Sequence, residues 1–119
     1  MALAKLGVVV LDCPDPRALA GFYADVLGGT PEGDGDWVDL KVPGGPALAF
    51  QRAEGLTPPE WPRADRNAQQ FHLDLDVDDL DAAERGVLAL GAKPLAEPGG
   101  KSFRVYADPA GHPFCLCAC

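Results

Sequence analysis

The sequence predicts an α+β fold built from two consecutive βαβββ modules, near residues 1–52 and 69–119, within a single domain of 119 residues. Three observations predict it. In Phe71–Gly91, the apolar Phe71, Leu73, Leu75 and Val77 alternate with His72, Asp74 and Asp76, the period of a strand with one apolar and one polar face; Leu80, Ala83, Val87 and Leu90 then recur at helical spacing. Gly7–Gly28 carries the same strand-to-helix text in degraded form. Both helices also close on matching words, Leu27-Gly28-Gly29-Thr30-Pro31 and Leu90-Gly91-Ala92-Lys93-Pro94, as an internal repeat requires.

Taken in order, Gly7–Cys13 reads as the first strand. Asp15 caps a helix with Pro16 at its first position, and Leu19, Phe22, Tyr23, Val26 and Leu27 form its apolar stripe before Gly28 ends it. Gly28–Asp36 is a loop dense in glycine and acid. Trp37–Val42 alternates as a strand, and the turn Pro43-Gly44-Gly45-Pro46 feeds a second strand, Ala47–Gln51, to make a hairpin. Arg52–Ala68 has no periodicity and carries Pro58, Pro59 and Pro62 around Trp61; it reads as a proline-rich linker pinned by its tryptophan. In the second module, Asp78 or Asp79 caps the helix and Gly91 stops it. A strand near Lys93–Ala96, a turn at Pro98-Gly99-Gly100 and a strand over Ser102–Ala107, with Phe103 and Val105 on one face, follow. Asp108-Pro109-Ala110-Gly111 is a tight turn in which Pro109 presets φ and Gly111 permits a positive one. Phe114–Cys119 is the last strand.

Composition narrows the partners. Eighteen acidic against ten basic residues give a formal charge of −8. With Lys and Arg scattered, neither a nucleic-acid backbone nor an anionic membrane finds a cationic stripe. The longest apolar run, near Val8–Leu11, is far too short to span a bilayer, and Met1–Leu6 lacks the regions of a signal peptide, so a cytoplasmic location is expected. The four cysteines are then expected to stay as thiols. Cys115, Cys117 and Cys119 alternate along one strand, an awkward geometry for mutual pairing.

The words LDCPDPRALAGFYADVLGG, FHLDLDVDDLDAAERGVLALGA and VYADPAGHPFCLC together resemble the vicinal oxygen chelate superfamily, the glyoxalase, bleomycin-resistance and dioxygenase superfamily, in its short glyoxalase-like branch. The resemblance implies that the two modules curl an eight-stranded mixed sheet into a U, with helices on the convex face and a ligand cleft on the concave one. It also implies a homodimer. On that frame the alternation turns Val9, Leu11 and Cys13 toward the first helix, and Val8, Val10 and Asp12 into the cleft. His72, Asp74 and Asp76 face the cleft from the fifth strand. Trp37 and Phe50 are each open to two readings, as aromatic walls of the cleft or as core.

Metal-dependent members of the superfamily hold a divalent ion with ligands from four strands. Carried onto this chain, the first position falls at Val8, or at Val9 with a one-residue slip, and neither side chain binds a metal. The second falls between Leu48 and Gln51, where Gln51 alone offers an oxygen; the third falls at His72 and the fourth at Cys115. That set does not make the oxygen-rich or His/Glu shell of such ions. A zinc set of His72, Cys115 and Cys117 is opposed by the roughly 6.5–7 Å between residues i and i+2 of a strand, which holds two short thiols apart. The thiols are expected to act as small hydrophobes. His72 is expected to hydrogen-bond in the pocket, with Asp74 as the partner that would fix its tautomer. His112 is read as a surface turn residue. The run Asp74, Asp76, Asp78, Asp79 and Asp81 lacks the glycine and closing glutamate of a calcium loop and reads as solvated charge plus capping. No Gly-x-Ser-x-Gly, phosphate-binding loop or Cys-x-x-Cys is present.

The expected function is therefore a small-molecule-binding protein of the glyoxalase/bleomycin-resistance type that needs no metal or other cofactor and holds a small organic ligand through Val8, Val10, Trp37, Phe50, His72, Asp74 and Cys115. The alternative is a lyase, isomerase or dioxygenase of the same superfamily, dependent on a divalent metal at His72, Cys115 and Gln51. A purely structural dimerisation module is a third reading.

Overall fold

Among the described residues, two capped helices and all but one of eight short strands form where the alternation and the caps place them. The computed structural model describes residues 2–60, 67, 70–95 and 102–118. Its elements run β1 (Val8–Cys13), α1 (Pro16–Leu27), β2 (Pro31–Glu32), β3 (Trp37–Leu40), β4 (Ala47–Arg52), β5 (Leu73–Asp76), α2 (Leu80–Ala89), β6 (Lys93–Pro94), β7 (Phe103–Ala107) and β8 (Pro113–Cys117). The chain divides into two compact units, Met1–Leu56 and Thr57–Cys119. Each carries one four-stranded mixed sheet of the same order, β1-β4-β3-β2 in the first and β5-β8-β7-β6 in the second. In both, the first strand runs parallel to the last, and the remaining pairs are antiparallel.

In the first unit, the Asp15 carboxylate accepts from the backbone N–H of Ala18 at 3.2 Å, and Pro16 opens α1, whose own missing N–H costs nothing there. The helix buries Leu19, Ala20, Phe22 and Tyr23. Tyr23 meets Phe22 edge-on at 4.9 Å and stacks on Phe50 of β4 at 5.8 Å between ring centroids. Phe50 lies opposite Val38 in the β3–β4 pairing, and both are fully buried with Leu40. The loop expected over Gly28–Asp36 contains a further strand, β2. Pro31 and Glu32 pair with Leu40 and Asp39, because Gly29, at φ 95°, lets the chain double back so closely that a Cβ there would strike the Lys41 carbonyl.

The second unit repeats the scheme with a more polar joint. Of the two cap candidates, Asp79 accepts from the backbone N–H of Ala82 at 3.1 Å. Gly91, at φ 111°, ends the helix after a last turn in which Ala92 N–H bonds the Val87 carbonyl. Val87 is the buried residue of α2. The rest of the joint is a hydrogen-bonded network. The Tyr106 hydroxyl donates to Glu84 at 2.7 Å while its ring stacks on Phe114; Arg104 donates to Asp81 at 2.9 Å and lies 3.4 Å from the second Glu84 oxygen. Burial and the adjacent Glu84 carboxylate push the Tyr106 phenol well above its usual range, and the Asp81 hydrogen bond raises Arg104. The Asp108–Gly111 turn forms as the sequence predicts. Buried Asp108 accepts from the backbone N–H groups of Ala110 and His112, and Gly111 takes φ 97°.

Strand ends differ from expectation by one or two residues, as fraying ends do. The strand near Lys93 stops at Pro94. Trp61, Ala68, Ala96, the Pro98-Gly99-Gly100 turn and Cys119 lie outside the described residues. No helix is long and apolar enough to cross a membrane among the described residues.

The polar joint predicts that Tyr106→Phe costs about 1–2 kcal/mol by removing the donor to Glu84. The folded state holds the phenol proton above the ordinary tyrosine pKa of 10.0, so this contribution is full below that pH, declines above it and is lost only as the pH passes the raised folded value. Urea melts of both proteins between pH 7 and pH 11 check it: the gap between them should narrow at the alkaline end.

Candidate functional site

The second sheet gathers chemistry on the face that α2 does not cover. In the parallel pairing of β5 with β8, Leu73 lies opposite Phe114, Asp74 opposite Cys115, Leu75 opposite Leu116 and Asp76 opposite Cys117. Partners in such a pair share a face, and the pleat alternates. Asp74, Asp76, Cys115 and Cys117 therefore stand on one side, with Val105 beside Cys115 across the β7–β8 pair. His72, just before β5, is in phase with Asp74.

Three of these side chains converge. His72 Nε2 lies 3.2 Å from Asp74 Oδ1. A ring nitrogen of His72, a carboxylate oxygen of Asp74 and Cys115 Sγ all lie within 4.8 Å of one another. The backbone spacing that holds two thiols apart is bridged here because an imidazole reaches farther than a thiol. The Cys115 side is buried and the carboxylate side is open, Cys115 being 4% exposed and the Asp74 side chain 62%. Burial, reinforced by the Asp74 charge, by Cys117 and by a hydrogen bond to Asp74, pushes the Cys115 thiol up to about 11. Without a bound cation the cluster therefore offers a carboxylate, an imidazole and an uncharged thiol.

Cys117 takes the other role foreseen for the thiols, packed in an apolar cluster with Val105, Cys115 and Leu95. Of the acidic run, Asp79 caps the helix as expected and Asp74 meets His72, whereas Asp81, expected to be solvated charge, pairs with Arg104. His112 lies half-buried in the turn before β8.

In the first unit, Val8, Val10 and Asp12 alternate onto the face opposite Leu11 and Cys13, and Val8 remains 36% exposed. Trp37, opposite Gln51 in the β3–β4 pair, is 40% exposed, and its indole N–H donates to Asp39 at 2.9 Å. Phe50 requires a correction. It is fully buried against Tyr23 of α1, on the opposite face from Trp37, because β4 places Gln51 and not Phe50 across from the tryptophan. Phe50 is core, and not a ligand wall.

The donor chemistry tests the metal that the resemblance implies. Val8 is a hydrocarbon on an open strand face, Gln51 offers a neutral amide, and Cys115 a thiol. A hard ion such as Mn²⁺ or Mg²⁺, which takes oxygen ligands, finds one carboxylate at the cluster. The set of nitrogen, oxygen and sulfur instead has the softness of a zinc shell. Sequence reasoning set Cys117 beside His72 and Cys115 and did not count Asp74 as a donor. The signal that finds it is the β5–β8 register, which alternation alone does not supply.

Comparison with known proteins adds the lineage. A family described as a glyoxalase-like domain matches residues 8–117. No curated protein matches the chain. Among solved structures, a glyoxalase/bleomycin resistance protein/dioxygenase family enzyme from Burkholderia phytofirmans superposes with a TM-score of 0.75 at 21% identity, over 95% of this chain and 97% of that one. The fosfomycin resistance protein FosX from Mesorhizobium loti gives 0.73 at 16%, over 100% and 94%. A mutant FosX from Listeria monocytogenes, in complex with Mn(II) and a dihydroxypropylphosphonic acid, gives 0.72 at 14%, over 98% and 93%. At these identities the likeness is one of fold.

The cluster predicts the behaviour of its thiol. In the metal-free protein, alkylation of Cys115, located by mass spectrometry, should show a midpoint near pH 11 and not near the ordinary 9.0. Asp74→Asn should lower that midpoint, since the carboxylate is one of the causes that hold it up.

Proposed function

We propose that this chain, which belongs to the glyoxalase-like domain family, binds a small, partly apolar organic molecule and sequesters it rather than converting it. The observation that carries the reading is Val8. Where metal-dependent relatives are expected to place a ligand on the first strand, this chain has an aliphatic side chain on an open sheet face, so the four-ligand centre that would polarise a substrate is not built. Each sheet offers surface of the right kind. The first has Val8, Val10 and the Trp37 indole for apolar and stacking contact; the second has His72, Asp74 and Cys115 for orientation by hydrogen bonds. A reducing, cytoplasmic setting belongs to this reading, with Cys13, Cys115 and Cys117 buried in the core of their sheets. A homodimer belongs to the same reading, as does the absence of nucleic-acid and membrane partners.

A second reading draws on one specific observation, the convergence of His72, Asp74 and Cys115. It is a lyase, isomerase or dioxygenase whose metal sits at that cluster, and it predicts turnover that chelation abolishes and an added divalent ion restores.

The test is a thermal-shift screen of small organic compounds on protein stripped of metal by chelation. A binder raises the melting temperature of the stripped wild type. The shift should shrink in His72→Ala and Trp37→Ala and be unmoved by added Mn²⁺ or Mg²⁺. Shifts that appear only after Mn²⁺ or Mg²⁺ is restored would overturn the reading.

A further inference from the structure

We infer that the open face of the first sheet selects an organic cation, held on the Trp37 indole and oriented by Asp39; this rests on the sequestration reading and names the ligand class for it. Asp12 of β1 and Trp37 of β3 lie on either side of Gln51 in β4. One rank along, Asp39 lies between Ala49 and Glu32. Paired residues share a face, so these side chains stand together on the side opposite Leu48 and Phe50, which are buried toward α1. Trp37 is 40% exposed there, and its indole N–H donates to Asp39 at 2.9 Å. An indole N–H lies in the plane of its ring, so this bond holds the ring by an edge and leaves its exposed surface to stack on an arriving molecule.

Charge decides which molecule. Glu32 and Asp39 stand directly opposite each other across β2 and β3, a like-charge pair that costs stability. The strands β1–β4 contain one basic residue, Arg52. It is out of phase with this face and is engaged elsewhere, donating to Asp36 at 3.0 Å and to the Pro14 carbonyl at 2.8 Å. Lys41 follows β3, four residues and so about 13 Å along the strand direction from Trp37. An anion beside the indole is therefore repelled, whereas a cation relieves the opposition of Glu32 and Asp39 and gains the attraction of the ring quadrupole. A bare ammonium keeps its hydration; a positive charge carried on a flat apolar body gives up less water and stacks as well.

The experiment uses three bicyclic probes of similar size on chelator-stripped protein near neutral pH: N-methylquinolinium, a permanent cation; quinoline, neutral; and naphthoate, an anion. Affinities come from calorimetry, and the site from the Trp37 indole N–H resonance, identified by its loss in Trp37→Leu. N-methylquinolinium should move that resonance and bind roughly 5–30-fold more tightly than quinoline at low salt, with naphthoate weakest. High salt should shrink the advantage. Asp39→Asn keeps a carbonyl to accept the indole N–H and removes the charge, so it should weaken the cation by about 3–5-fold and leave quinoline unchanged. Trp37→Leu should weaken both. Both side chains are exposed, so these variants keep the core intact. Equal affinity for the three probes, an indole resonance that no probe moves, or wild-type cation affinity in Asp39→Asn would each overturn the inference. Neutral compounds that stabilise the stripped protein would leave the sequestration reading standing where the cation preference fails. Cation binding at Trp37 that appears only after Mn²⁺ or Mg²⁺ is restored would do the reverse.

Discussion

The parallel pairing of β5 with β8 is the constraint on which the chemistry of this protein depends. It is a backbone ladder, closed beyond β5 by the bond from Val77 N–H to the Cys117 carbonyl at 2.8 Å. Nothing in it is specific to function. Yet because a strand's side chains alternate, a slip of one residue would turn Leu73 or Leu75 toward Cys115 and send Asp74 to the helix side. The apolar set prevents that slip. Leu75 and Leu116 sit together on the helix face with Phe114 and Tyr106, and burying them fixes, on the opposite face, which acid meets which thiol. Core packing on one side thus determines the donor set on the other.

The two units reach the same topology by different balances of force. The helix α1 is held by aromatic stacking and aliphatic burial through Tyr23, Phe22 and Leu19. The helix α2 buries Val87 and is held by hydrogen bonds from Arg104 and Tyr106 to Asp81 and Glu84. An apolar joint loses little as pH changes, whereas a joint of phenol, guanidinium and carboxylates responds to it. The unit that carries the His72 cluster is therefore the one whose helix packing is tuned by charge.

Much of the fold was legible because short-range physics wrote it. The Asp15-Pro16 cap, the alternation of β5, the Asp108–Gly111 turn and the helix stop at Gly91 each follow from the preference of a residue for its own backbone state. The first strand of each module was found for the same reason. What escaped was what depends on pairing across the chain. The strand β2 is two residues long and exists only because Gly29 folds it onto β3. Phe50 and Trp37 looked equivalent in sequence, and the register sends one to the core and leaves the other exposed. Asp74 was visible as a partner for His72, but its place beside Cys115 is a relation between residues far apart in sequence, which no local pattern encodes.

That register can be measured without reference to any ligand or activity. Cross-strand nuclear Overhauser contacts between β5 and β8, recorded on isotope-labelled protein, read it residue by residue. The account predicts that the Asp74 backbone shows its contacts to Cys115 and that Asp76 shows them to Cys117. Contacts that instead join Leu73 or Leu75 to Cys115 would contradict it, since the carboxylate, imidazole and thiol would then stand on opposite sides of the sheet.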